Sequence, residues 1–387
     1  MKRFKINRRM LVLAGASAVL AGCQVIPKGP TTTSGPAPTP TPEPSSTALP
    51  TDDTRHRIAL LVPLSGSNAA VGQSIANATT MALLDTSADN IRITTYDTAT
   101  GAGSAAARAI SDGNKLILGP LLGANVEAIM SRARPVDVPV ITFSNDTRNA
   151  GADVFVMGHI PEQSVERTVK FARARGASNF AGIIPDGEYG RRAEAALVSS
   201  VREAGGALNA VERYTRGSGP ILAAAQRLKD KGGFDTVLIP EGARLAAMAA
   251  NELNAGDERY GVLGTELWSG ESAVAGSNAL QGALFSAVSD GRYRRFVSSY
   301  ETRFGSQPYR ISTLGYDAVL LTLRIAQDWR VGNDFPTSRL RDAGGFLGLD
   351  GPFRFRRNGI VERAMEVREV RGGEVVIVDA APSRFED

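Results

Sequence analysis

The chain has 387 residues, with 44 Lys and Arg against 40 Asp and Glu, for a formal net charge of +4. Five of those cations (Lys2, Arg3, Lys5, Arg8 and Arg9) fall in residues 1–22, which contain no acid. The remainder therefore sits near −1 and lacks the basic footprint that nucleic-acid binding requires. One cysteine excludes a disulfide framework, and two histidines with no C-x-x-C or H-E-x-x-H spacing offer no metal centre.

In chain order, the cationic residues 1–9 precede an apolar run, Met10 to Leu20, and then small residues. That order is the signature of an export signal. The apolar run is about half of the roughly 20 residues a membrane-spanning helix needs. Leu20-Ala21-Gly22-Cys23 resembles a bacterial lipobox, which implies cleavage after residue 22 and lipidation of Cys23. Several acyl chains would then moor the protein to a membrane, each buried methylene contributing about 0.8 kcal/mol. Gln24, rather than Asp, implies sorting to the periplasmic face of the outer membrane, as against the inner membrane.

Residues 23–56 read as the lipidated cysteine and a tether. Eight prolines lie among Thr, Ser, Gly and Ala in residues 27–54, with Leu49 as the one large apolar side chain. Such a segment cannot bury enough surface to offset its ordering entropy. Extended as polyproline helix it reaches roughly 90 Å, at about 3.1 Å per residue.

From Arg57 the texture changes. Apolar runs at 57–64, 91–97, 115–120, 138–144, 180–185, 234–240 and 260–266 predict buried strands. Ala-rich stretches at 70–85, 105–113, 162–176, 190–206 and 219–233 predict helices between them. The spacing argues for an α/β fold with parallel sheets and helices on both faces. Some 330 residues exceed one compact sheet, so two lobes are expected. In "GRRAEAALVSSVREAGG", Ala193, Leu197, Val201 and Ala204 share one face, which should pack on a sheet. Residues 361–379 largely alternate apolar and charged residues about Gly372-Gly373 and predict a hairpin. "RFRRNG" (354–359) reads as a solvated turn.

The order "IALLVPLSGSNAAVGQSIANATTMAL", "YDTATGAGSAAARAI", "KLILGPLLGANVEAI", "VPVITFSND" and "GIIPDGEYGRRAEAAL" resembles the type I periplasmic binding proteins of the branched-chain amino-acid type. With the lipobox, the tether and "GTELWS" (264–269), the chain is most similar to the penicillin-binding-protein activator lipoproteins. The resemblance implies two lobes joined by three crossings, placed near Gly158-His159, near 283–288 and near Gly351. Lobe one would combine 57–158 with 285–345, and lobe two 159–284 with 346–387.

Ligands of this fold class sit at the carboxyl ends of the strands. The cleft candidates are therefore Ser65, Ser67, Asn125, Ser144, Asn145 and Asp146 from lobe one, and Tyr189, Glu241, Glu266 and Trp268 from lobe two. Each has a plain alternative. The small polar residues can satisfy turns; Glu241 and Asp146 can be solvated charges; Tyr189 can be packing; Trp268 can be core or an interface anchor. The resemblance gives Glu266 the ligand's ammonium and Tyr189 the cleft wall. It departs on the carboxylate side, where Gly123-Ala124 replaces a serine and Asp146 stands in place of a threonine. An ionised Asp146 would oppose a carboxylate by roughly 4 kcal/mol at about 4 Å and an effective dielectric near 20.

No G-x-S-x-G elbow or G-K-[ST] phosphate loop occurs, so neither catalytic residues nor a cofactor are predicted. Two functions follow from the resemblance. The first is a lipoprotein that docks on and activates a penicillin-binding protein, a peptidoglycan synthase. The alternative is a solute-binding lipoprotein delivering an amino acid or similar small molecule to an ABC importer. The enteric activators carry a helical-repeat domain ahead of this one, where the present sequence has only the tether.

Overall fold

The computed structural model describes residues 54–383 and 385. The signal, Cys23 and all but the last residues of the tether lie outside them. The first sheet has the order β2-β1-β3-β4-β5. Its strands are β1 (His56–Val62), β2 (Ile91–Asp97), β3 (Leu116–Leu118), β4 (Val140–Thr142) and β5 (Val154–Val156), all parallel. In β1 the side chains of Ile58, Leu60 and Val62 enter one buried cluster, and those of Ala59 and Leu61 enter another. Both faces are therefore covered, which is why the run reads as continuously apolar.

Helices α1 (Ala69–Asp85), α2 (Ala102–Ser111) and α3 (Val126–Ala133) connect these strands. The chain then crosses to α4 (Pro161–Ala174) and the second sheet. That sheet has the order β15-β14-β10-β9-β8-β6-β7. Its parallel strands are β6 (Asn179–Pro185), β7 (Ala207–Tyr214), β8 (Thr236–Leu238), β9 (Gly261–Leu263) and β10 (Leu284–Ala287). Helices α5 (Glu188–Glu203), α6 (Ser218–Lys231), α7 (Ala243–Leu253) and the single turn α8 (Ser272–Ala275) belong with it. Ala193, Leu197 and Val201 of α5 are buried in one cluster with Val165 and Phe180, the face expected from their spacing.

The remaining helices, α9 (Tyr293–Phe304) and α10 (Thr313–Ala326), return to lobe one. Phe296 and Tyr300 pack on Ala78 and Met81, and Leu314, Ala318 and Leu321 join Ile58 and Ile75. A small sheet follows, made of β11 (Phe346–Gly348), β12 (Gly351–Phe355) and β13 (Val361–Arg363). Finally β14 (Glu366–Arg371) and β15 (Glu374–Asp379) form an antiparallel hairpin about Gly372-Gly373 on the edge of the second sheet.

Two lobe boundaries differ from expectation. β10 stays in the second sheet through Ala287, so the second crossing falls at 288–292 rather than at 285. The third falls at Ala364-Met365, not Gly351, because Phe353, Phe355 and Val361 are buried with Phe155 in the lobe-one core. "RFRRNG" does form the β12–β13 turn, with Arg354 and Arg356 both bound to Glu362.

The lobes share one local device. Gly72 in α1 and Gly190 in α5 each lie against the carbonyl of the proline ending the preceding segment, Pro63 and Pro185, so closely that a Cβ would overlap that oxygen. Gly190→Ala is expected to push α5 off β6 and cost about 1–3 kcal/mol, the usual penalty of overpacking. Urea denaturation reads this directly.

Candidate functional site

The cleft lies where β4 of lobe one faces β9 and α5 of lobe two. Beyond β4, Ser144 is buried and its Oγ accepts the Asp146 amide at 3.0 Å. Asp146 in turn caps a short 3-10 turn through the Arg148 amide at 3.1 Å. The Arg148 side chain grips the Asp146 carboxylate with two bonds of 2.9 and 2.8 Å. Those bonds hold the Asp146 carboxyl below its usual range. The expected repulsion of a carboxylate by Asp146 is thus largely cancelled by its own arginine.

The obstacle on this side is steric. A Cβ on Gly123 would stand 2.8 Å from Ser144 Oγ and 3.0 Å from Asp146 Cβ. A serine at that position would crowd both side chains, and Ser144 Oγ already accepts from an amide of its own loop. Gly123→Ser is accordingly expected to cost about 1–3 kcal/mol, measurable by thermal unfolding, and not to create a carboxylate site.

On the lobe-two side, β9 ends in a 3-10 turn that starts at Glu266. The Glu266 amide donates to Ser164 Oγ at 3.0 Å, anchoring the turn to α4. Tyr189, in the first turn of α5, contacts Thr265 Oγ1 at 2.8 Å and donates to Glu266 Oε1 at 3.0 Å. Glu266 Oε2 is buried without a partner. Burial pushes the Glu266 carboxyl up to about 7. Burial and the adjacent Glu266 charge raise the Tyr189 phenol well above its ordinary value.

Glu241 and Trp268 do not belong to this cleft. Glu241 is buried inside lobe two, where it accepts from Tyr214 Oη at 2.9 Å and Arg216 Nε at 2.7 Å. Trp268 is core: its Nε1 donates to the Glu241 carbonyl at 2.8 Å and its ring packs on Phe285. Ser65 donates to Asp97 at 2.8 Å and steadies the loop after β1, while Ser67 is exposed. Asn125 opens α3, and its side chain makes no capping bond. Of the residues singled out from sequence, Ser144, Asn145, Asp146, Tyr189 and Glu266 are those brought to the meeting of the lobes.

Two groups that the sequence reading did not single out complete the region. Arg192 stands three residues beyond Tyr189 on α5, hence on the same helix face. It binds Glu162 through Nε at 2.7 Å and Nη2 at 2.6 Å, and its Nη1 donates to the Asn145 carbonyl of lobe one at 2.6 Å. At the back of the cleft, Asp350 is fully buried and accepts from Arg310 Nη1 at 2.8 Å and Thr313 Oγ1 at 3.0 Å. His159 Nε2 lies 2.9 Å from the same carboxylate. Burial lowers the His159 pKa and outweighs the pull of Asp350, so the imidazole is neutral and donates through Nε2–H. Arg310 also reaches Ser269 Oγ of lobe two at 3.3 Å and lies over the Tyr293 ring at 4.3 Å. His159, Glu266, Ser269, Arg310 and Met365 line a residual cavity of about 10 Å³.

This is the architecture of a hinged binding protein, and the comparisons agree. A periplasmic binding protein family model matches residues 56–374, and the chain belongs to that family. Among solved structures, the chain is similar to the leucine-binding protein LivK of Thermotoga maritima at 22% identity and TM-score 0.63, covering 84% of this chain and 98% of that one. A solute-binding protein of R. palustris in complex with benzoate matches at 18% identity and TM-score 0.64, covering 86% and 98%. LivJ of Streptococcus pneumoniae, in complex with isoleucine, matches at 19% identity and TM-score 0.62, covering 85% and 100%. At such identities the likeness concerns the fold. A Rickettsia prowazekii protein is 28% identical over 159 residues, and the match spans 41% of this chain and 43% of that relative's length. Family membership implies a periplasmic or envelope location. No helix among the described residues is long and apolar enough to cross a membrane.

Proposed function

We propose that the chain is a solute-binding lipoprotein of an ABC importer, and that its cleft takes a small molecule bearing a positive charge. The observation that carries this reading is Glu266 Oε2, buried between the lobes and unpaired. A buried acceptor without a partner is costly, and a bound ammonium or guanidinium would both satisfy it and return the carboxyl to its ionised form. The carboxylate side is reshaped, since Gly123 supplies no hydroxyl and a side chain there would crowd Ser144 and Asp146. An amino acid with only its α-carboxylate to offer that corner would therefore bind less well than a diamine, a guanidino compound or a basic amino acid.

Thermal-shift screening with amino acids, polyamines, guanidino compounds, sugars and aromatic acids tests the proposal. A solute at a hundred times its Kd adds about 2.7 kcal/mol to stability. The expected result is a clear rise in Tm with one cationic class that disappears in Glu266→Gln. A rise with a neutral or anionic solute, retained in Glu266→Gln, would refute it.

A second reading keeps the chain as a regulator that docks on a penicillin-binding protein. What favours it is the small residual cavity, about 10 Å³, which holds one water molecule at most. Crosslinked pull-down from intact envelopes separates the two. Recovery of a bifunctional penicillin-binding protein supports the regulator, and recovery of a permease supports the importer. Both readings need the anchor, so Cys23→Ser is expected to abolish labelling by a radioactive fatty acid.

A further inference from the structure

Gln163 ties α4 to β13 beside the hinge, through Nε2 to the Val361 carbonyl at 2.6 Å and Oε1 from the Arg363 amide at 3.1 Å; away from the hinge, Arg192 reaches across the cleft itself. Arg192 is carried by lobe two and held there by Glu162, with its own side chain only 12% exposed. Its remaining guanidinium edge crosses the cleft to the Asn145 carbonyl at 2.6 Å. It also sits close enough to Asp146 and Tyr189 for its charge to bear on both ionisations. The guanidinium thus occupies the point where the loop after β4, the first turn of α5 and the Tyr189–Glu266 pair converge.

The receiving side is rigid. Gly158, at the first crossing, packs against the Ser144–Asn145 backbone so tightly that a Cβ would overlap it. Ser144 Oγ and Thr142 Oγ1 each accept from an amide of the same loop. The Asn145 carbonyl is thereby aimed at the cleft and cannot swing away. On the mouth side, Arg148 of lobe one lies 3.8 Å from Glu188 of lobe two, a weaker and more exposed pair. The link at Arg192 is therefore both the shorter and the more protected of the two.

We propose that Arg192 is a built-in latch. Its guanidinium fills the cleft between Glu162 and the Asn145 carbonyl and holds the lobes together. A solute enters by displacing it, and the solute fitted to do so carries a guanidinium or alkylammonium group of its own. The reason is chemical. Withdrawing Arg192 strips the Asn145 carbonyl and the partly exposed Glu162 carboxylate of their donors, and a cation with several N–H donors replaces both bonds at once. The bidentate grip on Glu162 further favours a planar guanidinium. The latch stands on these contacts alone. The holding of the lobes does not depend on the importer reading, whereas the solute class that displaces the latch rests on it.

The test is an inter-lobe distance. In the full chain carrying Cys23→Ser, spin labels on Ser67→Cys and Glu203→Cys, both exposed, report lobe separation by pulsed electron resonance. Arg192→Ala is expected to lengthen and broaden the distance distribution. Millimolar methylguanidinium chloride should restore the original distribution, and sodium chloride at equal concentration should not. Arg192→Lys, which keeps the charge but loses the fork, should fall between the two. An Arg192→Ala distribution identical to the parent's, or one restored equally by sodium chloride, overturns the latch. If Arg192→Ala lost its cooperative melt, Glu162→Gln would serve instead. It frees the guanidinium from its anchor, so a wider distribution supports the latch and an unchanged one overturns it.

Discussion

Asp350→Ala is expected to be the most damaging single substitution in the described domain, costing about 3–5 kcal/mol. Its carboxylate is wholly buried and collects Arg310, Thr313 and His159 within 3.0 Å, with Arg363 at 3.9 Å. Burial alone would raise its pKa, but Arg310, His159 and Arg363 outweigh burial and hold the carboxyl well below the usual range. Removing it leaves two interior guanidinium groups with only Asp290, 3.7 Å from Arg310, as an ion partner. Arg363 would keep only its bond to the Met157 carbonyl, at 2.7 Å. Because these groups sit at the first and third crossings, the loss should loosen the hinge as well as the cores. Asp350→Asn keeps acceptor and shape while removing the charge, and should fall between alanine and the parent. Urea denaturation with an unchanged m-value would confirm that stability, rather than compactness, has changed. A cost below about 1 kcal/mol would mean the cluster is solvated and of little structural weight.

Glu266 gives the second large effect, and its sign follows from linkage. Its carboxyl is raised to about 7 in the folded protein, so the native state binds that proton more tightly than the unfolded chain does. The stabilisation is present in full below the unfolded pKa near 4.3 and is lost as pH rises toward 7. A shift of this size corresponds to about 3 kcal/mol. Asp317 acts in the same direction, raised to about 7 by burial and by the charge of Asp350. His159 opposes them in the upper part of the window, since its lowered pKa withdraws stability as pH falls through about 6.5. Comparison with Glu266→Gln isolates the one group. The variant should match the parent below about pH 4 and exceed it by about 3 kcal/mol near pH 8. A difference that does not vary with pH would show Glu266 to be ionised and solvated. A bound cation should reverse the trend in the parent by holding Glu266 ionised.

Strands such as β1 and β6 were legible because both faces are buried, so each reads as an unbroken apolar run, whereas the edge strand β7, exposed along much of its length, was not read. The α5 stripe was legible for the opposite reason, having one buried face and one solvated one. Helix α10 was not. Leu314, Ala318, Val319, Leu321 and Ile325 are all buried, so it presents no stripe to find. β11 and β13 have three residues each, too few to show a period. The misplaced third crossing has the same root. Alternation at 353–363 reveals which residues are buried, but not that Phe353 and Phe355 enter the first lobe's core.

In the site, Glu266 and Tyr189 could be found by their places after β9 and at the start of α5. Glu241 occupies an equally suggestive place after β8 yet turns inward to Tyr214 and Arg216, partners supplied by β7 and the loop beyond it, which carry little sequence signal. Arg310 and Asp350 are 40 residues apart, and only the return of α10 and the small sheet to lobe one brings them together. Arg192 did leave a trace, its spacing of three from Tyr189.

Whether the cleft carries a solute in the cell is tested most directly by native mass spectrometry of the protein purified from its own envelope without refolding. A binding protein with Glu266 as its cation anchor predicts a discrete mass increment from a small basic molecule, absent when Glu266→Gln is purified in the same way. A bare protein mass in both, with a penicillin-binding protein retained in the crosslinked sample, would contradict it.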